Sequence, residues 1–336
     1  MTARFSGRRQ AKRLWTVPVA LFFLAAPVAV EAQQAGKIWR VGFLVLTRNP
    51  GIEEAFPRRL GELGYVEGRD AVIEWRSADG RSDLMPTLAA DLVQLGADII
   101  VAAGPEARIA AMKATSTIPI VTVGGFDPVA EGWAASLARP GGNVTGVTAA
   151  YTELTGKRLE LLKQMIPRLS RVAAIWDPTA IPPAAWGQVR AALRDPAQAL
   201  GIEYEFIEVR GPADFAGAFR RAIQRRRQAL IMIETGMIFA YRADLAERAR
   251  KNRLPAIGAA RPSASAGYLA TYGADLGDLV GRAAGYVDRI IKGAKPEDLP
   301  IERPGKFEPI FNLKTAQALG LKIPQALLLR ADAVIQ

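Results

Sequence analysis

Hydrophobic positions along the chain fall into short β-branched runs that alternate with longer stretches of helical spacing. The first half contains five such runs, and short continuous apolar runs are typical of buried parallel strands. Predicted strands cover residues 40–46, 71–75, 97–101, 118–123 and 144–148. Predicted helices cover residues 52–63, 82–95 and 106–115, with a short helix-like segment at 130–137. This alternation predicts a parallel sheet with helices on both faces.

The second half repeats the same order, which predicts a second lobe of the same α/β kind. Predicted strands cover residues 171–176, 204–209, 229–233, 255–258, 267–272 and 307–313. Predicted helices cover residues 153–166, 183–200, 213–225, 238–252, 275–293 and 315–319, before a closing segment at 325–334. The fold class is therefore α/β, with two Rossmann-like doubly wound lobes. We expect a ligand site where the two lobes face each other.

The N-terminus has the pattern of a secretory signal peptide over residues 1–32. Basic residues are followed by an apolar stretch, Leu14 to Val30, and small residues at Val30 and Ala32 predict cleavage after Ala32. A membrane anchor is the alternative, but 17 apolar residues with two prolines fall short of the roughly 20 that a span needs. Arg8-Arg9 leaves twin-arginine export open beside the general secretory route.

The amino-acid composition excludes several kinds of catalytic and metal-binding site. The 336 residues include no cysteine and no histidine, which removes disulfides, most nucleophile-plus-base arrangements and the usual zinc ligands. Neither glycine-rich phosphate-binding motif occurs, and neither does an EF-hand loop. We therefore expect no catalytic residues, no metal and no cofactor. Carboxylates, lysines and tyrosines remain as possible catalysts, but no pattern distinguishes any of them.

The formal net charge is +11, which raises the question of a nucleic-acid partner. The basic residues are scattered, and their densest cluster lies at 220–227, on and just after one predicted helix. No aromatic side chains interleave with these arginines as a stacking platform requires. A solvated helix face explains the cluster, and we expect no nucleic-acid partner.

Several phrases resemble the periplasmic substrate-binding proteins of ABC transporters, a family that includes tryptophan and tyrosine binders. The most specific are SLARPGGNVTG at 136–146 and NLKTAQALGL at 312–321, and weaker ones cover almost all of the chain after the signal. The resemblance implies a type 1 periplasmic binding fold, whose lobes are joined by a three-crossing hinge. We expect an N-terminal lobe of residues 36–149 plus 273–295 and a C-terminal lobe of residues 150–272 plus 296–336.

Candidate ligand-binding residues follow the carboxyl ends of the predicted strands, where open parallel sheets bind ligands. They are Thr47, Arg48, Pro105, Glu106, Gly125, Asp127, Thr148, Tyr151, Asp177, Glu234, Thr235 and Tyr272. Tyr151 and Tyr272 are predicted to form apolar or stacking walls of the ligand site. Tyr272 could alternatively be a core residue. Arg48, with backbone amides, is the predicted partner of a carboxylate.

Three carboxylates, those of Asp127, Asp177 and Glu234, are the predicted partners of an amine. The two aspartates precede proline, so they have turn formation or helix capping as an alternative role. Many relatives carry asparagine where this chain has Trp176-Asp177, and the likeness is weakest at 178–186. The identity of the ligand therefore cannot be carried over from the family.

The resemblance implies a monomeric periplasmic solute-binding component of an ABC importer, with a permease in the inner membrane as its partner. Its ligand is a small polar or aromatic metabolite, amino-acid-like. We expect the lobes to close on it by rotation about crossings near Ala149, Gly273 and Lys295. Two alternatives remain open, namely an isomerase-like enzyme on the same scaffold and a ligand sensor for a membrane receptor.

Overall fold

Two β-sheets flanked by helices organise the chain in a computed structural model, which describes residues 37–336. The predicted signal peptide, 1–32, lies outside the described residues. The sheets contain twelve strands, most of them parallel to their neighbours. The predicted α/β class with two doubly wound sheets is therefore confirmed. In the part of the chain that the structure describes, no helix combines the length and apolarity that crossing a bilayer requires.

The first sheet has the strand order β2-β1-β3-β4-β5, and all its neighbours are parallel. Its strands are β1 (Trp39–Val45), β2 (Ala71–Ser77), β3 (Ile99–Ala103), β4 (Ile120–Val123) and β5 (Val144–Val147). Side chains of β1 alternate between two apolar layers, because successive strand residues point to opposite faces. Phe43 packs in one layer and Leu44 in the other, and both are fully buried.

The second sheet has the order β12-β11-β10-β9-β8-β6-β7. Its strands are β6 (Arg171–Trp176), β7 (Glu203–Glu208), β8 (Ala229–Met232), β9 (Ala256–Gly258), β10 (Ala270–Gly273), β11 (Glu308–Asn312) and β12 (Ala333–Ile335). Only the β10–β11 pair is antiparallel among these neighbours. After β10 the chain returns to the first sheet and then enters the second sheet again through β11.

Helices cover both faces of each sheet. They are α1 (Pro50–Glu62), α2 (Met85–Gln94), α3 (Pro105–Ala114), α4 (Tyr151–Met165), α5 (Pro183–Ala199), α6 (Pro212–Gln224), α7 (Gly236–Ala240), α8 (Arg242–Lys251), α9 (Arg261–Ala266), α10 (Leu276–Ile291), α11 (Leu313–Ala318) and α12 (Gln325–Leu328). Short 3-10 turns occupy Ser82–Leu84 and Pro296–Asp298.

The helix-like segment predicted at 130–137 is not helical. Asp127 Oδ1 accepts hydrogen bonds from the backbone N–H groups of Val129 and Ala130, at 2.9 and 3.0 Å, which closes a turn instead. Gly132 then takes a left-handed conformation, with φ of 79°, which ends any helical path. The predicted helix at 238–252 is also divided, because α7 ends and α8 begins around Tyr241.

Helix α10 returns to the first sheet from the second, and it packs on α1, β4 and β5. Its Asp288 accepts a hydrogen bond from the Tyr65 hydroxyl at 2.9 Å. The chain then stays beside β5, because Ile301 N–H donates to the Leu137 carbonyl and Glu302 N–H to the Gly146 carbonyl. The lobe boundaries stay a prediction, but these bonds favour a third crossing after Glu302 in place of one at Lys295.

Candidate functional site

A largely apolar cavity lies at the carboxyl ends of strands from both sheets. Residues after β1 and β3 face residues after β8 and β9, so each sheet supplies part of the wall. The lining residues are Val45, Leu46, Thr47, Ile52, Ala103, Gly104, Pro105, Val123, Gly124, Tyr151, Glu234, Thr235, Gly236, Phe239, Ala260 and Leu276. This is the edge of a doubly wound sheet where ligands bind.

Glu234 is the only ionisable carboxyl group among these lining residues. It follows β8 and is buried. Its Oε2 atom accepts a hydrogen bond from Ala259 N–H at 3.0 Å, whereas Oε1 has no hydrogen-bond partner among the described residues. Burial raises the pKa of Glu234 above its usual value, and the charge of Arg158 opposes that rise. One carboxylate oxygen is therefore left available to a donor in the cavity.

Arg158 lies on α4 behind the cavity and is fully buried. Its Nε donates to the Tyr272 carbonyl at 2.9 Å and its Nη1 to the Tyr151 carbonyl at 3.5 Å. Its Nη2 has no hydrogen-bond partner in the described part of the chain. Burial lowers the pKa of this guanidinium to about 10, although the negative charge of Glu234 raises the pKa and so reduces that fall. The group therefore still carries its charge at neutral pH.

Tyr151 is the first residue of α4 and closes one side of the cavity. Its ring meets Phe126 edge-on, with 5.7 Å between the ring centroids. The hydroxyl oxygen lies 3.7 Å from the position that a Cβ atom would take at Gly124. Burial, with the charge of Glu234 as a smaller cause, raises the pKa of Tyr151, so its hydroxyl stays protonated and able to donate.

Glu106 is not a lining residue, but it lies next to the cavity and connects the two sheets on either side of it. Its Oε2 accepts from Gly236 N–H at 3.0 Å and its Oε1 from Met237 N–H at 3.1 Å. Burial raises the pKa of Glu106 to about 7, and the charge of Asp177 adds to this rise, while the backbone N–H donors oppose it. The side chain belongs to the first turn of α3, and its partners begin α7 on the other sheet.

The structure brings five of the twelve predicted residues into the cavity wall: Thr47, Pro105, Tyr151, Glu234 and Thr235. Their roles in binding remain predictions. Thr235 also caps α7, since its hydroxyl accepts from Ile238 N–H at 3.3 Å.

Arg48 is not among the residues that line this wall. Its side chain is 57% exposed and forms an ion pair with Glu53 at 2.8 Å, which holds it on the first turn of α1. The carboxylate-binding role predicted for Arg48 has no support from this geometry.

Five other predicted residues make structural contacts outside the cavity lining. Asp127 closes the turn described above, and Gly125 presents its carbonyl to Thr148, whose hydroxyl also donates to the Phe126 carbonyl at 2.8 Å. Asp177 caps a turn, because its Oδ1 accepts from both the N–H and the hydroxyl of Thr179. Tyr272 contributes its carbonyl to Arg158 and its ring to Phe307, at 6.1 Å between centroids.

Sequence reasoning did not identify Arg158 or most of the apolar wall. The lining residues outside the predicted twelve are Val45, Leu46, Ile52, Ala103, Gly104, Val123, Gly124, Gly236, Phe239, Ala260 and Leu276. Those next to the ends of β1, β3, β4 and β8 carried a usable signal, since they lie within two residues of predicted positions, whereas Ala260, after β9, does not. The helical ones, such as Phe239 and Leu276, look like ordinary core positions in the sequence. Within residues 37–336, no group of three or more acidic side chains could hold a metal ion.

The fold and the inter-sheet cavity define a type 1 periplasmic binding protein. The family model described as ABC transporter substrate binding protein matches residues 46–335, and the chain belongs to this family. A curated relative, the tyrosine-binding protein of Clostridioides difficile (strain R20291), is 27% identical over 288 residues, which are 84% of this chain and 81% of the relative.

Two solved structures show the same fold. The ABC domain in complex with L-Trp from Streptococcus pneumonia is 24% identical, with a TM-score of 0.81 over 89% of this chain and 100% of that one. The ligand-free, open structure of a substrate-binding protein with adhesive properties from Clostridium difficile is 22% identical, with a TM-score of 0.62 over the same shares.

Proposed function

We propose that this protein is the solute-binding component of an ABC importer and that its solute is an α-amino acid with an apolar or aromatic side chain. One observation carries the proposal. The buried Glu234 carboxylate lines a largely apolar cavity, and its Oε1 lacks a partner among the described residues. A buried carboxylate oxygen without a donor is costly, and a ligand ammonium group would satisfy it with a charge-assisted hydrogen bond.

The carboxylate of the ligand also has a candidate partner, which is a positively charged region of the protein. Helix α4 begins at Tyr151 in the cavity wall, and the first-turn N–H groups of a helix lack partners within it. Arg158 belongs to the same helix, and its Nη1 reaches the Tyr151 carbonyl at 3.5 Å, so its buried positive charge lies beside this terminus. The α4 terminus and Arg158 thus replace Arg48 as the proposed carboxylate site.

The remaining wall accounts for the side chain of the ligand. Ile52, Val123, Phe239 and Leu276 offer apolar contacts and no charge. Apolar walls with a few placed polar groups are the usual make-up of small-molecule sites. The tyrosine-binding relative and the L-Trp complex agree with a ligand of this class.

Calorimetry on residues 33–336 tests the assignment with a matched set of ligands. Tyrosine and tryptophan are compared with tyramine, which lacks the carboxylate, and 3-(4-hydroxyphenyl)propionate, which lacks the amine. A thermal-shift screen of other amino acids, sugars and nucleosides precedes it, since ligand at 100 times its Kd adds about 2.7 kcal/mol of stability.

Glu234→Gln should weaken tyrosine at least tenfold and leave the deaminated analogue unchanged. Glu62→Gln, at an exposed surface pair, is the control. Binding of another chemical class alone would overturn the amino-acid assignment. Recovery of a chemically altered ligand would support the enzyme alternative instead.

The cellular role needs its own tests. We propose export across the inner membrane with cleavage after Ala32, which N-terminal sequencing of the exported protein checks against an intact Met1. Delivery to a permease would appear as ligand-dependent ATP hydrolysis by the reconstituted transporter, whereas a sensor would show none. A monomer that closes on its ligand should become more compact in small-angle scattering at unchanged mass.

A further inference from the structure

We propose that Glu106 is the closure latch of the inter-sheet cavity and that its contact with Gly236 and Met237 contributes directly to ligand affinity. The proposal rests on the proposed binding of a ligand between the two sheets. Glu106 follows β3 of the first sheet, and its partners follow β8 of the second. The contact therefore joins backbone segments 130 residues apart in sequence.

The latch uses both carboxylate oxygens. Each oxygen accepts one backbone N–H, at 3.0 and 3.1 Å. Both N–H groups belong to the first turn of α7, where backbone N–H groups have no partner within their own helix. If the sheets separate, both N–H groups and both oxygens must turn to water, so the bond distinguishes the closed form from the open one.

Gly236 fits this contact closely. A Cβ atom placed there would lie 2.8 Å from Glu106 Oε2 and 3.1 Å from Oε1, and Glu106 supplies all three of its nearest atoms. The conformation of Gly236 is not left-handed, so alanine would carry no backbone strain of its own. An added methyl group would therefore meet the latch first, although Gly236 also lines the cavity. Gly217, also in a helix, has Arg220 Nη2 at 3.8 Å as its nearest neighbour and offers a matched control.

Burial is the main cause of the raised pKa of Glu106, and several charged groups lie around this side chain. Asp177 faces it from the second sheet, with an Oδ2 that has no hydrogen-bond partner among the described residues. Arg108 lies on its own helix and is paired with Glu131. An adjoining groove, between α3, the start of α2 and residues after β6 and β7, is lined by Glu106 together with further charged residues. These are Asp83, Lys113 and Arg210.

Closure should take up a proton. Burial in the closed form raises the pKa of Glu106 to about 7, and the carboxyl has its ordinary value near 4.5 once water reaches it. Because the closed form has the higher pKa, it gains stability over the open form as the pH falls through 7 toward 4.5. Affinity for a ligand held by closure should therefore rise about tenfold between pH 8 and pH 6.

A double-mutant cycle tests the latch in the protein of residues 33–336, with tyrosine and tryptophan as probes. Glu106→Ala and Gly236→Ala should each weaken binding at least tenfold. In the double variant, the methyl group meets no carboxylate, so its Kd should match that of Glu106→Ala within about twofold. Gly217→Ala should bind as the wild type does. Glu106→Gln should remove the pH dependence.

A second readout needs no ligand. Hydrogen exchange at the amides of Gly236 and Met237 should accelerate in Glu106→Ala, while the Ala259 amide, held by Glu234, keeps its rate.

The two readouts separate the latch from the proposed function. A wild-type protein that binds neither amino acid overturns the ligand assignment, and the latch then stands or falls on amide exchange. Binding by Glu106→Ala within twofold of wild type, additive effects in the cycle, or unchanged exchange at both amides would each overturn the latch.

Discussion

Arg108 and Glu131 form an ion pair, with 2.6 Å between Nη2 and Oε1, and their side chains are 3% and 1% exposed. Trp133 completes the cluster, because its Nε1 donates to Glu131 Oε2 at 2.9 Å and its ring lies 5.0 Å from the Arg108 guanidinium. The pair fastens the loop after β4 onto α3, the helix that carries Glu106. This loop is the segment that was predicted to be helical.

Removing one partner of this pair should destabilise the protein strongly, because the other charge stays buried without compensation. We expect Arg108→Met to lower the free energy of unfolding by about 3–5 kcal/mol in urea denaturation. Replacing both partners, in Arg108→Met/Glu131→Met, should recover part of that loss. The control is Arg48→Met, from an exposed pair, which should change stability by about 1 kcal/mol or less. Equal losses for Arg108→Met and Arg48→Met would contradict the assignment.

Stability should increase on mild acidification. Burial raises the folded-state pKa of Glu106 to about 7, and it also raises those of Glu131, Glu234 and Asp177. A carboxyl whose pKa is higher in the folded state binds its proton there first, so the folded state gains as the pH falls from 7 toward 4.5. Glu106 alone should contribute up to about 1.4 kcal/mol per pH unit.

Urea midpoints measured between pH 8 and pH 5, for the wild type and Glu106→Gln, check this prediction. The variant should show a visibly shallower dependence over the same interval. A wild-type curve that falls on acidification would count against the buried-carboxyl account.

Two glycines should respond to alanine in opposite directions. Gly146 in β5 has a φ of 128°, and a Cβ atom there would lie 2.7 Å from Thr122 N and closer still to the Thr122 carbonyl oxygen. Gly146→Ala should therefore cost about 3 kcal/mol or more. Gly285 lies inside α10 with nothing within 4 Å of its Cβ position, so Gly285→Ala should add about 0.8–1.0 kcal/mol. Thermal denaturation of both variants measures the difference, and a shared sign would refute the local geometry.

Arg158 should affect ligands according to their charge. Replacing it with methionine removes the buried positive charge beside Glu234, so tyrosine should bind at least tenfold more weakly. Tyramine lacks a carboxylate and should lose less. Calorimetry with both ligands gives the comparison, with Arg194→Met, from an exposed pair, as the control. Equal losses for the two ligands would assign Arg158 a purely structural role.

Local patterns predicted the fold well because strands and helices leave periodic signals. Strand β4 is β-branched at every position, and all four of its residues are buried. The failure at 130–137 has a different cause. Its conformation depends on Asp127, which closes a turn, and on Glu131, which is held by an arginine 23 residues earlier. Such distant pairings leave no periodic trace in the sequence.

The sequence predicted those cavity residues whose position depends only on the end of a strand. Thr47, Pro105 and Glu234 directly follow strands and line the cavity. The direction of the Arg48 side chain depends instead on its ion partner Glu53. Arg158 reaches a carbonyl 114 residues away, at Tyr272, from the middle of a helix. Side-chain direction and long-range packing are the parts that the order of strands does not determine.

The return of α10 to the first sheet, and of β11 and β12 to the second, has a consequence for how the chain acquires its structure. The first sheet is covered by a helix that begins at Leu276, and the Tyr65–Asp288 hydrogen bond spans 223 residues. The second sheet and the helical cover of the first sheet are not complete until nearly the whole polypeptide is available, and such long loops close slowly. Truncation from the C-terminus should therefore remove β11 and β12 from the second sheet, and a longer truncation should also uncover the first sheet.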